Sequence, residues 1–97
     1  MSEIMDAAVT AMQSKFAEGI DGTALFVIKG EGAVLVDAEG ARAADPETDA
    51  DVTLSASVDT FRAILDGDLS PTVAFMTGRL SVVGNMGMAM KLGSMMS

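Results

Sequence analysis

An α+β fold, a five-stranded and mostly antiparallel sheet with helices packed on one face, is predicted for this 97-residue chain by three observations. Short β-branched segments recur between Gly-containing turns. Apolar side chains return at spacings of three and four where Ser or Asn precedes and Gly follows. The helical segments fall at the two ends of the chain and between the last two strands, so the strands are free to form one sheet.

Each element follows in order. Residues 2–18 place Ile4, Ala8, Ala11, Met12 and Phe16 on one helical face, with Ser2 as N-cap and Gly19 as terminator. Asp21-Gly22 turns the chain into residues 23–29, TALFVIK, a β-branched and aromatic run expected to be a strand covered on both faces over part of its length. GEGA turns it into a second strand, VLVDA at 34–38, and Glu39-Gly40 leads to a weaker one at 41–44. These three read as an antiparallel meander. Residues 45–51, DPETDAD, form a polar connection in which Pro46 forbids a regular central strand.

In residues 51–57 Val52, Leu54 and Ala56 alternate with polar side chains, the pattern of a strand with one wet face. Residues 79–82 repeat it, Leu80 and Val82 inward, Arg79 and Ser81 outward. Two helical pieces lie between. Ser57 caps the first, Ser70 followed by Pro71 opens the second, and Gly67 and Gly78 close them. Val58, Phe61, Ile64 and Leu65 form an apolar stripe, and Val73, Ala74 and Phe75 are expected to pack beside it.

Composition narrows the function. Six basic residues against fourteen acidic ones give a net charge of −8, which repels a phosphate backbone and an anionic bilayer alike, so nucleic acid is not an expected partner. There is no Cys for a disulfide framework or thiol nucleophile, which fits a reducing cytoplasm. The acidic N-terminus is unlike a secretory signal, and no apolar run approaches the roughly 18 residues a membrane span needs. The expectation is one soluble, cytoplasmic, unprocessed domain over residues 1–97, without stable membrane insertion. Absence of His, Cys, Tyr and Trp removes catalytic triads, most zinc sites and imidazole acid–base chemistry, so no enzyme activity and no cofactor are expected. The acidic run Asp45, Glu47, Asp49, Asp51 lacks the glycine and glutamate that complete an EF-hand loop, and Met86, Met88 and Met90, two apart on a helix, point in different directions. No metal site is expected from either.

The chain closes with GNMGMAMKLGSMMS, residues 84–97. If Asn85 caps a helix, a turn of about 100° per residue gathers Gly87, Lys91 and Ser94 into a narrow polar strip and leaves a wide apolar arc containing Met86, Met88, Ala89, Met90, Leu92 and Met95. An ordinary surface helix shows an apolar stripe only a little over 100° wide, and this one spans about twice that. One flank can lie on the sheet while the other faces a second protein, a bilayer or an apolar ligand. Methionine, unbranched and polarisable, suits a surface whose partner varies in shape.

Residues 50–92, ADVTLSASVDTFRAILDGDLSPTVAFMTGRLSVVGNMGMAMKL, resemble the sterol carrier protein 2 family of lipid-carrier domains. The matching positions are Asp51, Val52 and Thr53; Gly67, Leu69, Pro71, Ala74 and Phe75; and Gly78, Leu80, Val82, Gly84, Asn85, Met86, Ala89, Met90, Lys91 and Leu92. The first fifty residues match more loosely, with Phe26, Val27, Ile28 and Lys29 where the family often has a tryptophan or an IDLK-like run. The resemblance implies a sheet with helices on one face and an apolar tunnel between them that takes a fatty acyl chain, acyl-CoA, sterol or phospholipid without catalysis. On that reading the tunnel is lined by Phe61, Ile64, Leu65, Phe75, Met76, Met86, Met88, Met90, Leu92 and Met95, over a floor of Val52, Leu54, Leu80 and Val82. The alternative is a protein-interaction or dimerisation module that buries the Met-rich C-terminal helix, as in a homodimer.

Overall fold

A computed structural model describes residues 3–96. The chain runs α1 (Glu3–Lys15), β1 (Ala24–Ile28), β2 (Gly32–Asp37), β3 (Gly40–Ala44), β4 (Val52–Ala56), α2 (Val58–Leu65), α3 (Pro71–Met76), β5 (Ser81–Gly84) and α4 (Met86–Met96). The five strands form one sheet in the order β3-β2-β1-β4-β5. All pairs are antiparallel except β1 with β4, which run parallel in the register Phe26 opposite Leu54.

The parallel pair sets the path of the acidic connection. A chain leaving the end of β3 must reach the start of β4 three strand positions away, which means going back along the sheet while crossing β2 and β1. Residues 45–51 can span about 25 Å when extended, enough for one diagonal pass. Side chains opposite one another in the register share a face, which puts Phe26, Val34, Leu54 and Val82 on the helix side and Leu25, Leu35, Ala33 and Thr53 on the other. Leu25 and Ala33 are nonetheless buried, and neither belongs to the main core. Strand β1 is thus apolar and buried on both faces, as its sequence predicts.

The core lies between the helices and the inner face. Met5 and Met12 of α1 and the following Phe16 meet β1 and β2, and Phe61 and Ile64 of α2 join them. Phe26 is the centre of an aromatic row, its ring centroid 5.8 Å from Phe16 and 6.2 Å, edge-on, from Phe61. Such pairs contribute about 0.5–1.5 kcal/mol beyond their buried area. Ala8 of the predicted α1 stripe is only half-buried, as are Ile4 and Ala11, whereas Met5, outside that stripe, is buried.

Local signals mostly act where the sequence places them. Ser57 Oγ accepts the Thr60 N–H at 3.2 Å and caps α2, and Gly67 leaves it with φ of 84°. Ser70 stands at the N-cap of α3 without a side-chain cap bond, Pro71 following at the first helical position. The proposed cap Ser2 lies outside the described residues. Two expectations are corrected. Strand β5 begins at Ser81, not Arg79, because the N–H groups of Arg79 and Leu80 both donate to the Ala74 carbonyl that ends α3. Of Val73, Ala74 and Phe75, only Ala74 is buried; Val73 is 47% and Phe75 44% exposed, since a helix of six residues presents one narrow face to the core.

Candidate functional site

Backbone bonds at the start of β4 position α4. The Asp51 carbonyl accepts the Asn85 N–H at 3.0 Å, its carboxylate accepts the Thr23 N–H at 3.0 Å, and its own N–H donates to Thr23 Oγ1 at 2.9 Å. One residue thereby ties the entries of β1, β4 and α4 together. Gly84, at φ of 109°, brings the chain so close that a Cβ would collide with the Asp51 carbonyl. Asn85 Oδ1 then accepts the Met88 N–H at 3.1 Å, the predicted cap. Further along, Gly93 faces Pro71 of α3, with room for a Cβ only at 3.5 Å from the proline ring, and the two helices come together there.

Between α3, α4 and the β4–β5 side of the sheet lies a groove of about 650 Å³. That is within the roughly 300–1,000 Å³ of small-molecule sites. Leu54, Leu80 and Val82 floor it; Phe75 and Met76 of α3 stand on one wall, Met86 and Met90 of α4 on the other. The tips are open, Met76 being 78% and Met90 75% exposed. Ser70, Thr72 and Ser94 add polar atoms, and among the described residues Lys91 is the one charged side chain in the lining. The groove can hold an apolar chain by burial and offer an ammonium and hydroxyls to a polar end.

The ten predicted lining residues do not share one concavity. Phe75, Met76, Met86 and Met90 line this groove. Met88, Leu92 and Met95 lie on the other flank of α4, along a second concavity of about 810 Å³ bounded by residues 19–22 and Asp51, with Leu92 itself buried in the core. Phe61 and Leu65 line a third, of about 200 Å³, between α1 and α2, where Arg62 and Asp66 also stand. Ile64 is fully buried and belongs to the core, as does Val52 of the predicted floor. Met86 and Met90 thus face away from Met88, which lies beside Gly22. Pro71, Ala89 and Gly93 also line the groove and are not among the lining residues expected from the sequence. Ala89 is legible in the apolar arc, whereas Pro71 carries only a helix-start signal.

Charged groups elsewhere act on the framework. The Asp45 carboxylate accepts the Glu47 N–H at 2.8 Å, and with Asp51 engaged as above the acidic run holds its own loop and its neighbours. At the β2–β3 turn Arg42 and Asp37 form a two-point ion pair, 2.6 and 3.2 Å. The Arg42 guanidinium, helped by the Glu39 N–H, holds the Asp37 carboxyl below the usual carboxylate range.

Comparison with known proteins gives this arrangement a family. The chain is 45% identical over 53 residues to hydroxysteroid dehydrogenase-like protein 2 of Bos taurus, covering 55% of this chain and 13% of that protein. The Xenopus tropicalis protein of that name is 32% identical over 98 residues, 95% of this chain and 24% of its own length. The chain therefore spans less than a quarter of the curated relatives it matches. Among solved structures, the sterol carrier protein-2 of Aedes aegypti in complex with palmitate superposes with a TM-score of 0.78 at 18% identity, covering 100% of this chain and 97% of that one, a likeness of fold. The model of the SCP-2 sterol transfer family matches residues 6–97, and the chain belongs to that family.

Proposed function

We propose that this domain binds one apolar lipid chain, non-catalytically, in the groove between α3, α4 and the β4–β5 side of the sheet. The observation that carries the reading is the groove: about 650 Å³, floored by Leu54, Leu80 and Val82, and walled by long flexible side chains on two helices. Palmitate in the Aedes aegypti complex supports a fatty acyl chain as the first ligand to try. Four thioether and aromatic walls adapt to guests of different shape. Removing water from that lining is favourable by about 25 cal/mol per Å² of apolar surface covered.

Native mass spectrometry of freshly expressed protein, followed by organic extraction, is expected to recover a lipid at one per chain. Titration with a fluorescent fatty acid should then saturate and be competed by palmitate. Protein that is lipid-free after mild purification and leaves the probe's emission unchanged would sink the reading.

A second reading rests on the exposure of Met76 and Met90: the same walls cover another protein or a second copy. Sedimentation separates them. A concentration-dependent dimer that Met86→Asp and Met90→Asp dissociate, with no lipid bound before or after, favours the interaction module.

A further inference from the structure

Methionine is the one side chain in this sequence that a peroxide readily oxidises: there are nine, with no Cys, His, Tyr or Trp to compete. The fold sorts them by access. Met5 and Met12 are buried in the α1 half of the core, whereas Met76, Met86 and Met90 are exposed, and all three line the groove. Met76 and Met90 are the most exposed methionines among the described residues. Met95 is about as open as Met86 but lies on the other flank of α4, away from the groove. Leu54 and Leu80 show that apolar surface alone needs no sulfur, so the walls differ from the floor in chemistry as well as in position.

We infer that Met76, Met86 and Met90 are a reversible oxidation site, at which hydrogen peroxide turns the groove walls into sulfoxides and loosens the groove's hold on an apolar chain. The loosening rests on the lipid-binding reading; the oxidation does not. In the step itself a lone pair on the thioether Sδ attacks one peroxide oxygen. The S–O bond forms as the O–O bond breaks, sulfur loses two electrons, and the peroxide is reduced. The departing hydroxide takes up, through solvent, the proton left on the sulfur-bound oxygen, and leaves as water. That transfer needs water at the sulfur, which the open walls have and the sealed Met5 and Met12 lack. Access therefore directs oxidation to the groove and spares the core. A sulfoxide is a polar acceptor, and a chain that covers one without giving it a donor binds about five- to a hundredfold more weakly. None of the three side chains belongs to the main core, so the fold outlasts the change. Thiol-dependent methionine sulfoxide reductases undo it, the oxygen leaving as water while a dithiol becomes a disulfide.

Treating the folded whole chain with dilute hydrogen peroxide and following each methionine by peptide mass spectrometry tests it. Met76, Met86 and Met90 should each gain one oxygen before Met5 or Met12 gains any, with the urea midpoint unchanged. Affinity for the fluorescent fatty acid should fall about tenfold or more. Reductases specific for each sulfoxide epimer, supplied together with dithiothreitol, should restore it. Variants are compared with themselves before and after peroxide. Met76→Leu, Met86→Leu and Met90→Leu combined should abolish the fall, because leucine keeps the walls apolar without sulfur, whereas Met95→Leu should leave the fall in place. Oxidation of Met5 and Met12 in step with the groove overturns the inference. So does a fully sulfoxidised groove that holds the probe as before, or a fall that the combined leucine variant still shows. If untreated protein binds no fatty acid, the carrier reading fails alone, and the order of oxidation with its reversal, both read by mass without lipid, decides the site. Probe binding together with even oxidation of buried and exposed methionines removes the site and leaves the carrier.

Discussion

Helices α1 and α4 lie on the same face of one sheet, and both are rich in methionine, yet they use it oppositely. In α1, Met5 and Met12 are buried and close over Phe26, Val34 and Val36. In α4, Leu92 alone is buried among the described side chains, Met88 and Ala89 are half-covered, and Met86, Met90 and Met95 are exposed. The difference lies in what stands beneath. Phe16, Phe26 and Phe61 fill the α1 half with a row of tilted and edge-on rings, while the fourth phenylalanine, Phe75, stands half-exposed on the groove wall. The polar side of α1, with Glu3, Asp6, Gln13 and Lys15, also limits its apolar surface to one face, whereas α4 has no acid at all. Methionine is core filler where aromatic bulk meets it and an open wall where none does.

Four measurements sharpen or break that contrast. Met12→Ala, on the sealed side, should lower unfolding free energy by about 2–5 kcal/mol in urea titrations, the range for truncating a buried side chain. A cost near zero would mean that this half is as loosely filled as the other. Gly84→Ala forces a side chain into positive φ against the Asp51 carbonyl and should cost more than about 1 kcal/mol, while loosening the start of α4. Met90→Asp, on the open side, should change stability by no more than about 0.5 kcal/mol, as surface changes do, yet weaken fatty acid binding about tenfold or more. Loss of stability comparable to Met12→Ala would show α4 to be sealed in solution. The smallest effect is electrostatic. Asp37 has a lowered pKa when folded, so its pair with Arg42 contributes above the unfolded carboxylate range and is lost as pH falls through the folded value. Comparing wild type with Asp37→Asn in pH-stepped denaturation should show a small extra acid sensitivity in wild type alone.

Much of this architecture is legible in the residues. Alternation in residues 51–57 marks β4, Ser57 and Asn85 cap where expected, and the order of Gly turns separates the strands. The parallel pairing of β1 with β4 is not legible, because local pattern specifies a strand's faces and not its neighbour. The site divides in the same way. Helical arithmetic finds that α4 has more apolar surface than one face can bury, and Met86 and Met90 do line the groove. It cannot tell which flank meets the core, so it groups Met88, Leu92 and Met95 with residues from which the body of the helix separates them. Phe61 and Ile64 carry the same apolar signal as Phe75, and only the three-dimensional packing, in which Phe61 meets Phe26 and both join the main core, separates the first two from the third.

The parallel β1–β4 pair has a kinetic corollary. Strands β1 to β3 zip through two tight hairpins, whereas β4 must find β1 across 28 positions of chain, Ala24 against Val52, before β5 and α4 have an edge to join. Contacts between distant segments form late because loop closure precedes their reward. The C-terminal half should therefore be the last to assemble and the first to open, its amides exchanging with solvent ahead of those in the N-terminal hairpins.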